Sequence, residues 1–370
     1  MGKNYKQGKN IGILGGTRFI GYHLLWTLHN KGHKIHIFNR GITQLPGPVP
    51  SSIKLTYGDR NNPEDLKRFF KNKFDAVIDL SGYSLHHVEP IVRKYRKYIK
   101  HYIFCSTTSV YSLPLPLKFK ESKSRTKVPN TYGGNKSRIE DFLFEIHRKT
   151  KWPITILRPH GVFGKFDASL LSYVFYRLYN SVPILLQNKN DKRINFLYVK
   201  DLVNAFLLAM NNPKSYGKVY NVAGDDITSQ KKLIGMCGNI AKKNPIIYNF
   251  DNNRYNKHNN ANIGLRWPKY NLVASNNKIK QDLKLRFTPL KDAIEETYQW
   301  IKKNPEQIKA KLLLEERYIL KNKPIPRWIN IYRKVANYSK IRLDLLILYF
   351  RIIFVFMLFN KLKNLIKTNK

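Results

Sequence analysis

The stretch NIGILGGTRFIGYHLLWTLHNKGHKIHIFNR, residues 10 to 40, restricts this chain more than any other part of it. Ile11 to Leu14 is a short apolar run of the kind that forms a buried parallel strand. Gly15 to Gly21 reads as a glycine-rich turn, Phe19 to Asn30 carries apolar residues at helical spacing, and Lys34 to Phe38 reads as a second strand. Strand, turn, helix and strand in that order make the first β-α-β unit of a nucleotide-binding sheet, whose glycines let the backbone approach a pyrophosphate at the helix N-terminus. Gly15, Gly16 and Gly21 are therefore expected under phosphates, with Thr17, Arg18, Phe19 and Ile20 completing the turn. Glycines also mark ordinary tight turns, and Arg18 stands where a three-glycine fingerprint has its middle glycine. The flanking strand and helix therefore carry the inference.

The alternation continues. Strands are expected at Ile53 to Tyr57, Asp75 to Leu80, Tyr102 to Cys105 and Pro153 to Arg158. Between them, Asn62 to Glu64 reads as a helix start with Pro63 at its first position, and helices are expected from His87 to Lys100 and from about Thr131 to Arg148. Asn195 to Val199, a helix from Asp201 to Met210 and Val219 to Val222 complete the pattern. It implies a doubly wound parallel sheet with ligands outside the carboxyl ends of its strands. Pro114 to Asn130 reads as a loop over that site, and Ser229 to Asn304 as mainly helical, interrupted by the polar stretch Asp251 to Asn262.

A chain of 370 residues buries a sizeable core in one large domain with a lobe, or in two domains. Its two cysteines, Cys105 and Cys237, give neither a disulfide framework nor metal-ligand spacing, and no metal is expected. The start MGKNYKQGK lacks the apolar run of a secretory signal, and Lys6 spoils the myristoylation pattern that Gly2 begins, so an intracellular, cytoplasmic protein is expected. The formal charge is +43, from 67 Lys plus Arg against 24 Asp plus Glu, which attracts nucleic acid, anionic lipid or phosphorylated substrates. These basic residues are scattered rather than gathered in one stripe, so polyanion binding ranks second. Leu345 to Phe359 is apolar except for Arg351 and has basic flanks. It suits a helix lying peripherally on an anionic membrane better than one crossing it.

Tyr132 and Lys136 stand four apart on one face of an expected helix. An ammonium about 4 Å from a phenol, at an effective dielectric of about 20, favours the phenolate by about 4 kcal/mol, or about three pKa units. The expectation is a phenol brought down toward working pH, able to shuttle a proton. The hydroxyl cluster Ser106 to Ser109, at the end of an expected strand, supplies the context.

Taken together and in this order, GGTRFIG, Asp59, FCSTTSVY, TYGGNK, LRPHGVFG, FLYVKDL and YNVAG resemble the extended short-chain dehydrogenase/reductase superfamily, specifically its NAD-dependent epimerase/dehydratase family, over about residues 10 to 303. The resemblance implies an α/β, Rossmann-type domain over 10–165 with 192–228 returning to it. It also implies a smaller C-terminal substrate lobe from 166–191 and 229–330, NAD or NADP as cofactor, a nucleotide-sugar substrate and a homodimer; the resemblance ends after Pro324 and Pro326, and the basic apolar tail helix within 331–370 is read from its own residues. Thr107 matches the family's catalytic Ser/Thr, Tyr132 its acid/base, and Lys136 the helper that grips the nicotinamide ribose. Asp59, beside Arg60, matches the adenine-contacting acid, and Ser81 and Gly82 the backbone along the cofactor's ribose.

Departures narrow the chemistry. Dehydratases of the family carry an Asp-Glu pair where this chain has Thr108 and Ser109, so dehydration is disfavoured and epimerisation or simple reduction remains. The second strand ends in Asn39 and Arg40 without an acid for the ribose of NAD, so Arg40, with Arg18, is expected to take a 2′-phosphate. GGTRFIG with FNRG also resembles the atypical branch that includes chloroplast stem-loop RNA-binding proteins, which keeps RNA binding as an alternative, and a membrane-associated scaffold as a third. Arg193 lies one residue out of register for a diphosphate-binding arginine. His160, His86 and His87 are read as packed or exposed rather than catalytic.

Overall fold

An uninterrupted run of buried side chains in each central strand builds a sheet covered on both faces, as parallel pairing requires. The computed structural model describes residues 8–43, 45–167, 170–187, 192–250, 265, 267–268, 270–305, 316 and 319–321. In chain order the elements are β1 (Asn10–Leu14), α1 (Phe19–Asn30), β2 (Lys34–Asn39), β3 (Lys54–Tyr57), α2 (Pro63–Phe69), β4 (Ala76–Asp79), α3 (Leu85–Tyr95), β5 (Tyr102–Cys105), α4 (Tyr132–Thr150) and β6 (Ile154–Pro159). After these come β7 (Val162–Phe163), α5 (Leu170–Tyr179), β8 (Ile184–Gln187), β9 (Leu197–Tyr198), α6 (Val199–Ala209), β10 (Lys218–Val222), α7 (Gln230–Ala241), β11 (Ile247–Phe250), α8 (Asn277–Leu283) and α9 (Leu290–Lys303).

Among the described residues the main sheet has seven strands in the order β10-β6-β5-β4-β1-β2-β3, all parallel. The chain leaves β1 toward β2 and β3 on one side and resumes at β4 on the other. That reversal opens a crevice outside the carboxyl end of β1. On one face, Leu24, Leu25 and Leu28 of α1 and Phe206 of α6 pack on Ile11, Ile13 and Ile37. On the other, Phe69, Val88, Ile91, Ile139 and Leu143 of α2, α3 and α4 pack on Leu14, Val77 and Phe104. This is the expected Rossmann-type doubly wound sheet.

Some boundaries differ from those expected. Helix α3 begins at Leu85 and passes at Arg96 into a short 3-10 turn, and the strand expected to run to Val199 gives way to α6 there. Strands β8 and β11 pair with each other, β8 in a stretch for which no element was expected and β11 within one expected to be mainly helical. Contacts divide the chain into two compact units, the larger containing the main sheet with α1 to α9. In the smaller one, Leu185, Phe250 and Ile319 form a core of their own. The polar stretch Asp251 to Asn262 and the tail expected to contain the Leu345 to Phe359 helix lie outside the described residues. No helix among the described residues is long and apolar enough to cross a membrane.

Candidate active site

The glycine turn forms because Gly15 and Gly16 take φ of +96° and +97°, which other residues rarely adopt. Gly21 lets α1 start against it: a Cβ there would stand 2.0 Å from the Gly16 Cα. The turn borders a cleft of about 400 Å³ at the crevice beside β1. Its walls include Gly15, Gly16, Thr17, Arg18, Phe19, Ile20, Gly21, Asn39, Arg40, Asp59, Arg60 and Ser81, together with Tyr83, His87 and Cys105, which the sequence reading did not place there. Gly82 does not line the cleft. Its bare Cα packs closely, since a Cβ would meet Val88 at 2.8 Å and Phe104 at 2.9 Å.

The cleft is rich in donors. Asn39 accepts the Gly41 N–H through Oδ1 at 2.7 Å, and its buried Nδ2 has no hydrogen-bond partner among the described residues. Arg60 donates from Nη2 to Asp79 Oδ2 at 3.0 Å, while its buried Nη1 has no partner among the described residues. Asp79 also accepts from the Tyr102 hydroxyl at 2.6 Å and the Ser81 N–H at 2.9 Å. Burial pushes the Asp79 carboxyl up, but Arg60, with Tyr102 and Lys136, outweighs it and holds the group below its ordinary value. Asp59 is exposed, and its Oδ1 accepts the Asn61 N–H at 2.8 Å. Buried donors awaiting acceptors, beside exposed Arg40, suit the phosphates and heteroatoms of a dinucleotide.

Next to this cleft, β5 empties into Ser106, Thr107, Thr108 and Ser109. Thr107 caps the 3-10 turn at Thr108–Val110, its Oγ1 accepting the Ser109 N–H at 3.1 Å. Helix α4 is capped by Thr131, whose Oγ1 accepts the Gly134 N–H at 3.1 Å. Gly133 and Gly134 then permit an approach that side chains would block, because Cβ atoms there would lie 2.0 Å from Ser109 O and 1.8 Å from Val128 O. Thr107, Tyr132 and Lys136 thus meet at the end of β5. Lys136 is 1% exposed and donates from Nζ to the Cys105 carbonyl at 2.7 Å. Its ammonium stands 4.5 Å from the Phe104 ring centre, 5.4 Å from that of Tyr83 and 5.9 Å from that of Tyr132.

The expected direction of the Tyr132 shift is corrected. Burial, followed by the neighbouring Cys105 and Tyr83, pushes the phenol up to about 12, against which a hydrogen bond with Thr107 acts downward. The Lys136 ammonium is directed at the Cys105 carbonyl and stands 5.9 Å from the centre of the Tyr132 ring, and it is not among the groups that shift the phenol. Burial in turn lowers Lys136, opposed by Cys105, Asp79 and Glu140.

A buried network stands behind these residues. Glu140, on α4 one turn beyond Lys136, accepts from Ser106 Oγ at 2.5 Å, from Arg158 Nε at 2.9 Å and from Arg125 Nη1 at 3.0 Å. Arg158 continues to the Tyr111 hydroxyl at 2.7 Å, which donates to Asn221 Oδ1 at 2.5 Å. The signal for Glu140 was a carboxylate at i+4 from Lys136 on a buried helix face. Thr108 is committed elsewhere: its hydroxyl lies 2.7 Å from His160 Nδ1, and His160 Nε2 lies 2.8 Å from the Leu272 carbonyl. A carbonyl only accepts, so Nε2 carries the proton, Nδ1 accepts from Thr108, and burial lowers the imidazole to about 4. His86 is exposed, and the exposed Arg193 donates its backbone N–H to Asn271 Oδ1 at 2.9 Å.

Residues 11–92 and 90–223, more than half of the chain, match the NAD dependent epimerase/dehydratase family. The chain belongs to that family. Its cofactor class is therefore a nicotinamide dinucleotide. Among curated proteins it is 29% identical over 242 residues to the chloroplast stem-loop binding protein of 41 kDa b from Arabidopsis thaliana, covering 62% of each chain and so less than two thirds of that relative. It is 25% identical over 302 residues to the bifunctional UDP-glucose 4-epimerase and UDP-xylose 4-epimerase 3 of the same plant, covering 66% of this chain and 85% of the relative. The dTDP-glucose 4,6-dehydratase of Bacillus anthracis, solved in complex with NAD, superposes with a TM-score of 0.68 at 18% identity, over 81% of this chain and 98% of that one. At that identity the likeness shows the fold.

Proposed function

We propose that this family member is an NAD(P)-dependent epimerase or reductase of nucleotide sugars whose proton-transfer site is Thr107, Tyr132 and Lys136. The observation that carries the reading is the link between site and cleft: Cys105 and Tyr83 line the cofactor cleft and also contact Lys136, beside Tyr132 and Thr107. The dinucleotide, when bound, supplies hydride exchange. The Thr107 hydroxyl orients the reacting substrate oxygen, and Tyr132 exchanges a proton with it. With its phenol at about 12, Tyr132 stands protonated at neutral pH, ready to give a proton to a carbonyl oxygen as the sugar is reduced. Lys136, dry and close to the ring, offsets the negative charge that this leaves on the phenol.

Two finer points belong to the reading. Water elimination needs an acid and a base beside the catalytic threonine, whereas Thr108 is bonded to His160 and Ser109 bears only a hydroxyl, so epimerisation or reduction is favoured. Asn39 and Arg40, with Arg18 lining the same cleft, favour a 2′-phosphate and hence NADP. Residues 166–191 and 229–330 are assigned as the substrate lobe. The test is to incubate the protein and NAD(H) or NADP(H) with a panel of nucleotide sugars and 4-keto sugars. Epimers or reduced sugars are the expected products, and a dehydrated sugar contradicts the reading.

RNA binding is the second reading, supported by the charge of +43 and by the likeness to a stem-loop binding protein. It predicts affinity that falls steeply with salt, as released counterions require, and that survives Tyr132→Phe. Absence of RNA binding at physiological salt removes it.

A further inference from the structure

Lys136 is among the most buried charged groups of the chain, and three aromatic rings surround its ammonium. Phe104 is fixed within β5, and Tyr132 belongs to the proton-transfer pair itself. The third ring, Tyr83, comes from the loop between β4 and α3, and at 54% exposed it has solvent on its far side. That loop is held by its own backbone: the Ser81 N–H donates to Asp79 Oδ1 at 2.9 Å, the Tyr83 N–H to His87 Nδ1 at 3.4 Å, and Gly82 packs against Val88 and Phe104. The ring is thus presented to Lys136 by a braced segment.

We propose that Tyr83 is a positioning residue for the Lys136–Tyr132 pair, its ring being the outer wall that keeps the Lys136 ammonium out of water. A cation facing aromatic rings within about 6 Å is attracted by them, and more strongly when dry. The coupling between an ammonium and a nearby phenol is about fourfold weaker in water than at an effective dielectric of about 20. Without the wall, water reaches Lys136 and screens the charge that Tyr132 needs once its proton has gone. The ring does this work, because the Tyr83 hydroxyl makes no hydrogen bond among the described residues; phenylalanine therefore suffices at this position. The consequence for turnover rests on the proton-transfer reading above, whereas the enclosure of Lys136 does not.

Competitive acylation of the full-length chain by acetic anhydride across pH, read by mass spectrometry at Lys136, reports its titration and accessibility without any substrate. The groups facing Lys136 are Cys105, Asp79 and Glu140, which favour the ammonium, and Arg60, which opposes it, while burial lowers its pKa most. Tyr83→Ala relieves the burial, so Lys136 is expected to titrate higher, toward an ordinary lysine, and its amine form to react about tenfold faster. Tyr83→Phe is expected to restore both values, and in turnover assays to restore a pH profile that Tyr83→Ala displaces. Tyr83→Val provides the same comparison should the alanine variant fail to fold. Unchanged titration and reactivity in Tyr83→Ala, or a phenylalanine variant as altered as the alanine one, overturns the proposal. A shift in Lys136 labelling together with an inert Tyr132→Phe substitution would uphold the enclosure and sink only its link to catalysis.

Discussion

Gly133 stands so close to Ser109 that a Cβ on the glycine would lie 2.0 Å from the serine's carbonyl oxygen. Helix α4 therefore rests on the turn that carries Thr107, and the glycine fixes the distance between the two halves of the candidate site. On helix propensity alone Gly133→Ala would stabilise by about 1 kcal/mol. Here the clash is with backbone and cannot be relieved by a rotamer change, so a net loss of about 1 to 3 kcal/mol and a fall in turnover are expected. Thermal unfolding checks it, and a raised Tm would show that α4 is free to shift.

Glu140 bears the acceptor side of a buried network whose donors include Arg158 and Arg125. Glu140→Ala strands the Arg158 guanidinium, which is 2% exposed, and removing one partner of a buried pair costs about 3 to 5 kcal/mol. Urea unfolding is expected to show a loss of that size. A loss under about 1 kcal/mol would mean that water or another acceptor replaces the carboxylate.

Buried histidines, His160 and His101 among them, set an acid limit. Burial holds His160 at about 4 and His101 at about 3, both below the ordinary value near 6.5. The unfolded chain therefore takes up these protons first. Stability is whole above about pH 6.5, declines as pH falls, and stops declining on their account only below about pH 4 for His160 and about pH 3 for His101. Each contributes on the order of 3 to 5 kcal/mol across its window. Tm measured from pH 8 to pH 4 is expected to drop mostly below pH 6.5, and a flat profile would contradict the neutral assignments.

For the cofactor, Arg40→Ala is expected to weaken NADP by about 10 to 100-fold, the scale of one hydrogen bond to a charged group, and NAD much less. Titration with each dinucleotide measures this. Equal losses would take the 2′-phosphate away from Arg40.

Much of the fold was legible because its signals are local. The apolar run Ile11–Leu14, the glycine turn and the periodicity of Phe19 to Asn30 need no distant partner to be recognised, and α1 occupies those same residues. Strands β8 and β11 have four residues each, too few for a period, and of Ile247–Phe250 Phe250 alone is buried. At the site, the four-residue spacing gave the closeness of Tyr132 and Lys136 but neither the turn of the ammonium toward Cys105 nor the burial of the phenol, which raises it where a fall was expected. Ser106 and Arg158 meet Glu140 from 34 and 18 positions away, and Tyr83 reaches Lys136 from another loop. Such contacts arise from tertiary packing, and no local pattern announces them.

The most direct test of the account is the turnover of Tyr132→Phe on whichever nucleotide sugar the unmodified protein converts. The substitution keeps the ring and its packing while removing the oxygen proposed to exchange a proton with the substrate. The account predicts a fall in kcat of about 10² to 10⁴-fold, the usual contribution of general acid/base catalysis, with dinucleotide affinity retained. Turnover at the unmodified rate would contradict it.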